Sequence, residues 1–354
     1  MASPSSLTLN YDSILSTTLF AVRKQLYDNI FKDNVVWNVL HAKGRKRLQN
    51  GGERIQIPLQ YATNSTVNTY SGYDVLDTTP QDNVTSAFYT WKQLSGSVSI
   101  NRLEERQNSG ESQILNLLKQ KTTELSMSMQ DHASRMLLVP NGSATGSVFT
   151  VGNGGKDFLG LPIFMPTDPT SGTIGNINSG TNSWWRSQNT ASAASTFKAL
   201  KIELRTAWND ASKGTGGGPD VAIADQTTFE TYEAALDDNT RYTSTKMADM
   251  GFDNLRLKGS LIYWDERVPD LKGGNYPTVD GGTVSATIPG TVFFVNTNFL
   301  ELVVDAQTDF ISTPFVRPEN QDARTAQVLF MGELTSSNLR KLGTLDSIKD
   351  DITS

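Results

Sequence analysis

The chain has 354 residues, 37% hydrophobic and 19% charged, with a net charge of -6, two histidines and no cysteine. Without cysteine there is no disulfide framework, thiolate zinc site, Fe–S cluster or cysteine nucleophile. With only His41 and His132, 91 positions apart, neither a three-histidine nor an HExxH metal site can be built, and a Ser-His-Asp triad has little to draw on.

Residues 1–22 have no basic n-region and no unbroken apolar stretch, so no signal peptide is expected. The longest apolar runs are about four residues, such as Val292 to Val295, far short of a membrane span. The expectation is a soluble product made in the cytoplasm. Charge is uneven: residues 1–50 hold seven Lys/Arg against three Asp, so the remainder carries 24 basic against 34 acidic residues. An acidic bulk is a poor nucleic-acid binder.

In chain order, Leu15, Leu19, Val22, Leu26 and Ile30 step by three and four, which predicts a helix over 13–40. A basic cluster (Lys43, Arg45, Lys46, Arg47) and the polar turn 49–52 end it. Ile55, Ile57, Leu59 and Tyr61 then alternate with polar residues, and Pro58 on the polar phase suits an edge strand. After a polar tip at 63–83 the chain returns through Phe88, Tyr89 and Trp91, then Leu94, Val98 and Ile100. The apolar phase slips between Trp91 and Leu94, which predicts a bulge or a strong twist. The whole reads as a two-stranded excursion of about 18 residues per arm, reaching up to ~60 Å. A lone hairpin is marginal in water, so Tyr61, Tyr70, Tyr73, Phe88, Tyr89 and Trp91 need a covering surface, from this chain or another.

From Ser109, a good N-cap followed by Glu111, the pattern turns helical. Ile114, Leu118, Leu125, Met129 and Met136 keep one face until Pro140, and His132 beside them reads as a packed or interfacial residue. Residues 141–190 are rich in Gly, Ser, Asn and Thr around apolar islands at 158–165 and 184–186. A helix at 195–212, a buried strand at 221–224 and a helix at 227–236 suggest an α/β lobe. A strand pair at 255–264, a long loop at 273–290 and strands at 291–296, 299–304, 308–316 and 325–331 follow, with no internal repeat.

Chemical motifs fail on inspection. The 152–157 loop has Asp157 where a phosphate loop needs Ser or Thr, and the 214–219 glycine run follows a helix and lacks the third dinucleotide glycine. Both read as flexible surface loops. Carboxylate pairs such as Glu104-Glu105 are sequence neighbours and point apart. No catalytic, cofactor-binding or metal-ligating residue is expected. The basic cluster suits phosphate, inter-subunit ion pairs or simple solvation. Trp184-Trp185-Arg186 suits stacking on a sugar or base, or a packing anchor.

The order of elements resembles the major capsid protein of tailed double-stranded DNA phages. The resemblance is carried by Gly51-Gly52-Glu-Arg-Ile-Gln-Ile-Pro-Leu-Gln-Tyr61, Trp91-Lys92-Gln93 with Asn108-Ser109-Gly110, Gly172-Thr-Ile-Gly175, Trp184-Trp185-Arg186, Ala248-Asp249-Met-Gly251-Phe252, Asn296-Thr-Asn-Phe-Leu300, Thr313-Pro314-Phe315 and Met331-Gly332-Glu-Leu, all in order. It implies an α+β capsid fold: an N-terminal arm at 1–51, an extended β-hairpin loop at 52–101, and a peripheral domain with a spine helix at 102–150. An α/β axial domain at 151–300, peripheral strands at 301–345 and a tail at 346–354 complete it. It also implies a non-enzymatic subunit of a virion head, made in a bacterial cytoplasm and assembling with itself as hexamers and pentamers. The implied partners are a separate scaffolding protein, a portal protein, a decoration protein and, weakly, packaged double-stranded DNA, with no membrane and no cofactor. No lysine lies between Arg54 and Lys92, so no isopeptide crosslink from the loop tip is expected. Inter-subunit contacts are expected from Ile55, Ile57, Leu59, Tyr61, Tyr70, Tyr73, Phe88, Tyr89 and Trp91, and from Lys43, Arg45, Lys46 and Arg47. An encapsulin-like compartment shares the fold. A glycan-binding surface module using Trp184 and Trp185 is the alternative from another class.

Overall fold

A computed structural model describes residues 35–107, 117–138, 144–145, 148–149, 151–236, 255–265, 267–268, 290–317, 322–349 and 352. The described residues form two compact units, one drawing on those within 35–94, 132–309 and 330–352, the other on those within 95–131 and 310–329.

At the centre of the larger unit is a six-stranded mixed sheet. Its order is Leu255–Leu257, Ser260–Trp264, Val221–Ala224, Gly290–Val295, Gly343–Ile348 and Gln188–Ala191. Val221–Ala224 runs parallel to Ser260–Trp264 and antiparallel to Gly290–Val295, and Gly343–Ile348 runs parallel to Gln188–Ala191. The two inner strands Val221–Ala224 and Gly290–Val295 are buried at every position, which explains their unbroken apolar runs. The helix Phe197–Ser212 is started by Thr196, whose hydroxyl accepts from the Ala199 amide, and Asp225 does the same for Gln226–Ala235 through the Thr228 amide. Leu200, Leu204, Phe229 and Tyr232 from these helices pack on Ala222, Phe294, Leu345 and Ile348 of the sheet. Each fully buried leucine there contributes roughly 1.5–3 kcal/mol.

The expected tail at 346–354 is corrected by this sheet. Residues 343–348 form an internal strand, hydrogen-bonded to Gly290–Val295 on one side and Gln188–Ala191 on the other. At the end of the expected arm, Lys46–Gln49 is a strand running parallel to Leu300–Asp305, which pairs with the end of Ala323–Ser336. Of the predicted first helix the structure shows Val35–Ala42, with Val35, Val36, Val39 and Leu40 buried; its earlier residues lie outside those described.

The long hairpin is shorter than expected. Ile55–Gln60 and Val84–Tyr89 pair over six residues each, from Ile55 opposite Tyr89 to Gln60 opposite Val84. Beyond the phase slip the chain changes partner: Lys92–Asn101 pairs with Ala323–Ser336. The slip thus marks a strand break between Tyr89 and Lys92, where a bulge or a strong twist was expected.

In the smaller unit the helix Leu117–Leu138 contributes its residues up to 131, preceded by a separate short helix Arg102–Gln107. Ser109, Glu111 and Ile114 lie outside the described residues. Gly96 sits against the Leu125 and Met129 side chains, and Ile311–Ser312 pairs with Val328 and Leu329. The expected strand at 308–316 is reduced to that pair plus a bridge between Val316 and Thr325. Among the described residues no helix is long and apolar enough to cross a membrane.

Candidate functional site

The residues expected to contact other subunits divide sharply by burial. Ile55, Leu59 and Tyr89 are buried within their own chain, so those three expectations are corrected: their apolar area is already used. The pleat explains it, because the inward phase of Ile55–Gln60 faces Ala87 and Tyr89 of the return strand. Ile57 and Phe88 are half-buried, and the Phe88 amide donates to the Gly175 carbonyl at 3.0 Å. Trp91, also half-buried, donates its indole N–H to the Gly52 carbonyl at 2.8 Å. Tyr61 closes the stem: it stacks on Trp184 at 5.5 Å between ring centroids and donates its hydroxyl to the Asp82 carbonyl at 2.6 Å.

Beyond Tyr61 the tip has a different character. Tyr70 is 69% exposed, Tyr73 fully exposed and Val75 97% exposed, with Val67 and Leu76 beside them in sequence and also exposed. The hydrogen bonds of the tip are local. Asn64 accepts from Thr66, Asp74 from the Ser71 amide and Asp77 from Thr79, while Ser65 donates to Gln81 across the loop. The Thr79 hydroxyl and amide hold the Asp77 carboxyl below its ordinary range. Five large apolar side chains on one exposed loop are more than a monomer surface ordinarily leaves wet.

The basic cluster has partners within the chain. Lys43 pairs with Asp220 at 3.1 Å, Lys46 with Asp309, and Arg47 lies 3.8 Å from Glu301, while Arg45 donates to the Asn298 side chain. Glu301 lies in the strand that Lys46–Gln49 joins, Asn298 and Asp309 lie just outside its ends, and Asp220 precedes the strand Val221–Ala224. Lys43 and Arg47 remain exposed beside these partners.

The glycan reading fails on the same ground. Trp185 is buried and donates its indole N–H to Ile174 at 2.9 Å, Trp184 is covered on one face by Tyr61, and Arg186 donates to the carbonyls of Ser179 and Gly180. This is a packing anchor. The glycine run at 214–218 is corrected as well, since it is pinned rather than flexible. The buried Lys341 ammonium donates to the carbonyls of Ser212, Gly214 and Gly217 at 3.0–3.2 Å, and the Asn296 amide reaches those of Gly216, Gly217 and Gly218.

His41 is exposed and His132 half-buried. Among the described residues no group of three His, Asp or Glu side chains is placed to hold a metal ion. Sequence reasoning missed two buried carboxyls, Glu333 and Asp157. Asp157 ends the 152–157 loop and Glu333 stands in the Met331-Gly332-Glu-Leu segment, but neither stretch marks its carboxyl as buried, and only the fold closes over them.

No family model and no curated protein matches the sequence. The fold is matched end to end by solved shells. A chain of the capsid asymmetric unit of cyanophage A-1(L) superposes with a TM-score of 0.67 at 14% identity, covering 92% of this chain and 96% of that one. The capsid of Myoviridae phage XM1 gives 0.56 at 12% identity, covering 98% and 100%. The SrpI encapsulin of Synechococcus elongatus gives 0.57 at 10% identity, covering 100% and 99%. The chain therefore has the α+β capsid fold seen in tailed-phage heads.

Proposed function

We propose that the chain is the non-enzymatic structural subunit of a tailed-phage head, assembling with itself into an icosahedral shell around double-stranded DNA. The observation that carries this reading is the tip at 61–83: five exposed apolar side chains on a short stem, in a fold that capsid chains match over its whole length. An apolar loop that reaches beyond its own subunit is suited to a heterologous contact, and heterologous contacts with a closing rotation build rings and shells. Burying the tip on a neighbour is driven by ~25 cal/mol per Å² of apolar area.

The contact residues on this reading are Tyr70 and Tyr73 with Val67, Val75 and Leu76. Hexamers and pentamers of the same chain, a separate scaffolding protein, a portal and a decoration protein are the partners it calls for, with only weak contact to DNA. The place of work is the virion head after synthesis in the host cytoplasm. An encapsulin-like compartment is the second reading, favoured by the SrpI match.

Electron microscopy and sedimentation of the expressed chain test the proposal. Megadalton shells are expected from the intact chain, and monomers or small rings from a chain lacking residues 64–82. Full-size shells from the deletion overturn the role of the tip, and an intact chain that stays monomeric overturns the proposal. Nuclease-protected DNA inside particles isolated from their source separates a phage head from a compartment.

A further inference from the structure

Ionisable side chains meet in the interior of the larger unit, away from the loop tip. Glu333 on Ala323–Ser336 is fully buried. One of its carboxyl oxygens, Oε1, accepts from the amides of Leu159 at 2.8 Å and Leu334 at 3.0 Å, and the other, Oε2, has no hydrogen-bond partner. Two residues before Leu159, Asp157 is buried as well, and its Oδ2 is also without a partner. The cation acting on both carboxyls is Lys92, whose ammonium donates to the Gly155 carbonyl. His132, near the end of the long helix, acts on Asp157, and the Tyr89 phenol feels the charge of Glu333. Two buried acids thus share one lysine, with a half-buried histidine beside one of them.

We propose that Glu333, Asp157, Lys92 and His132 form a proton-sensitive joint, which clamps residues 155–159 onto the strand Ala323–Ser336 while Glu333 keeps its proton and loosens when that proton leaves. A protonated Glu333 still accepts both amides through Oε1 and places no charge in the interior. Ionised, it becomes a buried anion, and Lys92, the cation that opposes its shift, already donates to a carbonyl and acts on Asp157 as well, an arrangement costly to maintain. Burial accordingly pushes the Glu333 carboxyl up to about 8 and raises that of Asp157, with Lys92 opposing both shifts. The device lies at the root of the loop, since Lys92 begins the strand that follows Tyr89 by two residues, and it operates whether or not the chain builds a shell.

Hydrogen–deuterium exchange of the full chain, corrected for the intrinsic pH dependence of exchange, tests it. Between the ordinary carboxyl range and the Glu333 midpoint the opening of peptides covering 155–160 and 331–335 should increase about tenfold per pH unit, because one proton is released on opening, and above that midpoint it levels off. Glu333→Gln removes that slope and keeps protection level from about pH 6 to about pH 9. The same slope in the variant, or no slope in the native chain, overturns the joint. Lys92→Met supplies an independent reading, should the glutamine variant fail to fold. Loss of the cation moves the midpoint to higher pH, whereas a merely structural lysine lowers protection at every pH and leaves the midpoint in place, which also overturns the proposal.

Discussion

The buried phenol of Tyr89 donates to the carbonyl of Ser336 at 2.8 Å, across 247 positions of sequence, and accepts in turn from the Ser336 amide at 3.4 Å. The last residue of the return strand is thereby fastened to the last residue of Ala323–Ser336. Burial drives the phenol well above its ordinary pKa, so it remains a donor at any pH at which the chain is folded. Tyr89→Phe keeps the ring but leaves both Ser336 groups without a partner. The expected cost is about 1–3 kcal/mol, read as a lower urea midpoint with an unchanged slope.

Gly175 packs against the same ring from another side. Its φ is +59°, and a Cβ placed there lies 2.9 Å from the Ala87 Cβ and 3.3 Å from the Tyr89 ring. Gly175→Ala therefore adds overpacking to left-handed strain. Gly44, with φ +64° and nothing within 4 Å of a Cβ, adds strain alone. The first substitution should cost about 2–4 kcal/mol and the second about 1–2 kcal/mol by chemical denaturation. Equal costs would show that the Ala87 and Tyr89 contacts yield freely.

Lys341 is buried without a carboxylate, its charge spread over three carbonyls of the 212–217 segment. Lys341→Met leaves those carbonyls uncompensated. A loss of about 2–4 kcal/mol is expected, with faster amide exchange across 213–218. Lys341→Arg should not restore it, because a planar guanidinium does not direct its donors as a tripod.

Much of the architecture could be read from the sequence wherever the apolar periodicity is sustained. The helix expected at 195–212 is Phe197–Ser212, and the one expected at 227–236 is Gln226–Ala235. What escaped depends on distant partners. The strand Gly343–Ile348 has apolar residues only at Leu345 and Ile348; its buried Asp346 is matched by Asn189, 157 positions earlier. Likewise the alternation through Leu94, Val98 and Ile100 is a true strand, but no local pattern shows that it pairs with 323–336 rather than with the outgoing arm. The basic cluster looked free because its carboxylates stand at Asp220, Glu301 and Asp309. At the loop, the expectation for Tyr70 and Tyr73 stands as a proposal, while burial removes Ile55, Leu59 and Tyr89 from the surface.

Asp225 gives a second pH dependence. Its two oxygens accept from the Thr228 amide at 3.1 Å and the Thr291 amide at 2.9 Å, joining a helix start to the central strand, while burial raises its carboxyl above the ordinary value. A carboxyl raised on folding binds its proton more tightly in the native state. Its contribution is therefore fully present below the unfolded pKa and declines as pH rises through the folded one. Asp225→Asn keeps the cap and abolishes that decline, so its urea midpoint should fall furthest below the native one in acid and approach it toward neutrality. Asp225→Ala loses the cap at every pH, at about 1–2 kcal/mol.

The tip separates folding from assembly. Tyr73 and Val75 are fully or almost fully exposed, so Tyr73→Ser with Val75→Ser removes no contact within the chain. Melting of the unassembled subunit should therefore change by less than about 0.5 kcal/mol. Burying both side chains on a neighbour contributes on the order of 1.5–3 kcal/mol each, and the loss recurs at every subunit of a closed shell. A change nearly silent in the monomer should thus cut particle yield steeply in sedimentation profiles. Shells at native yield would show that Tyr73 and Val75 remain in water after assembly, and the search for the contact would move to Val67, Tyr70 and Leu76.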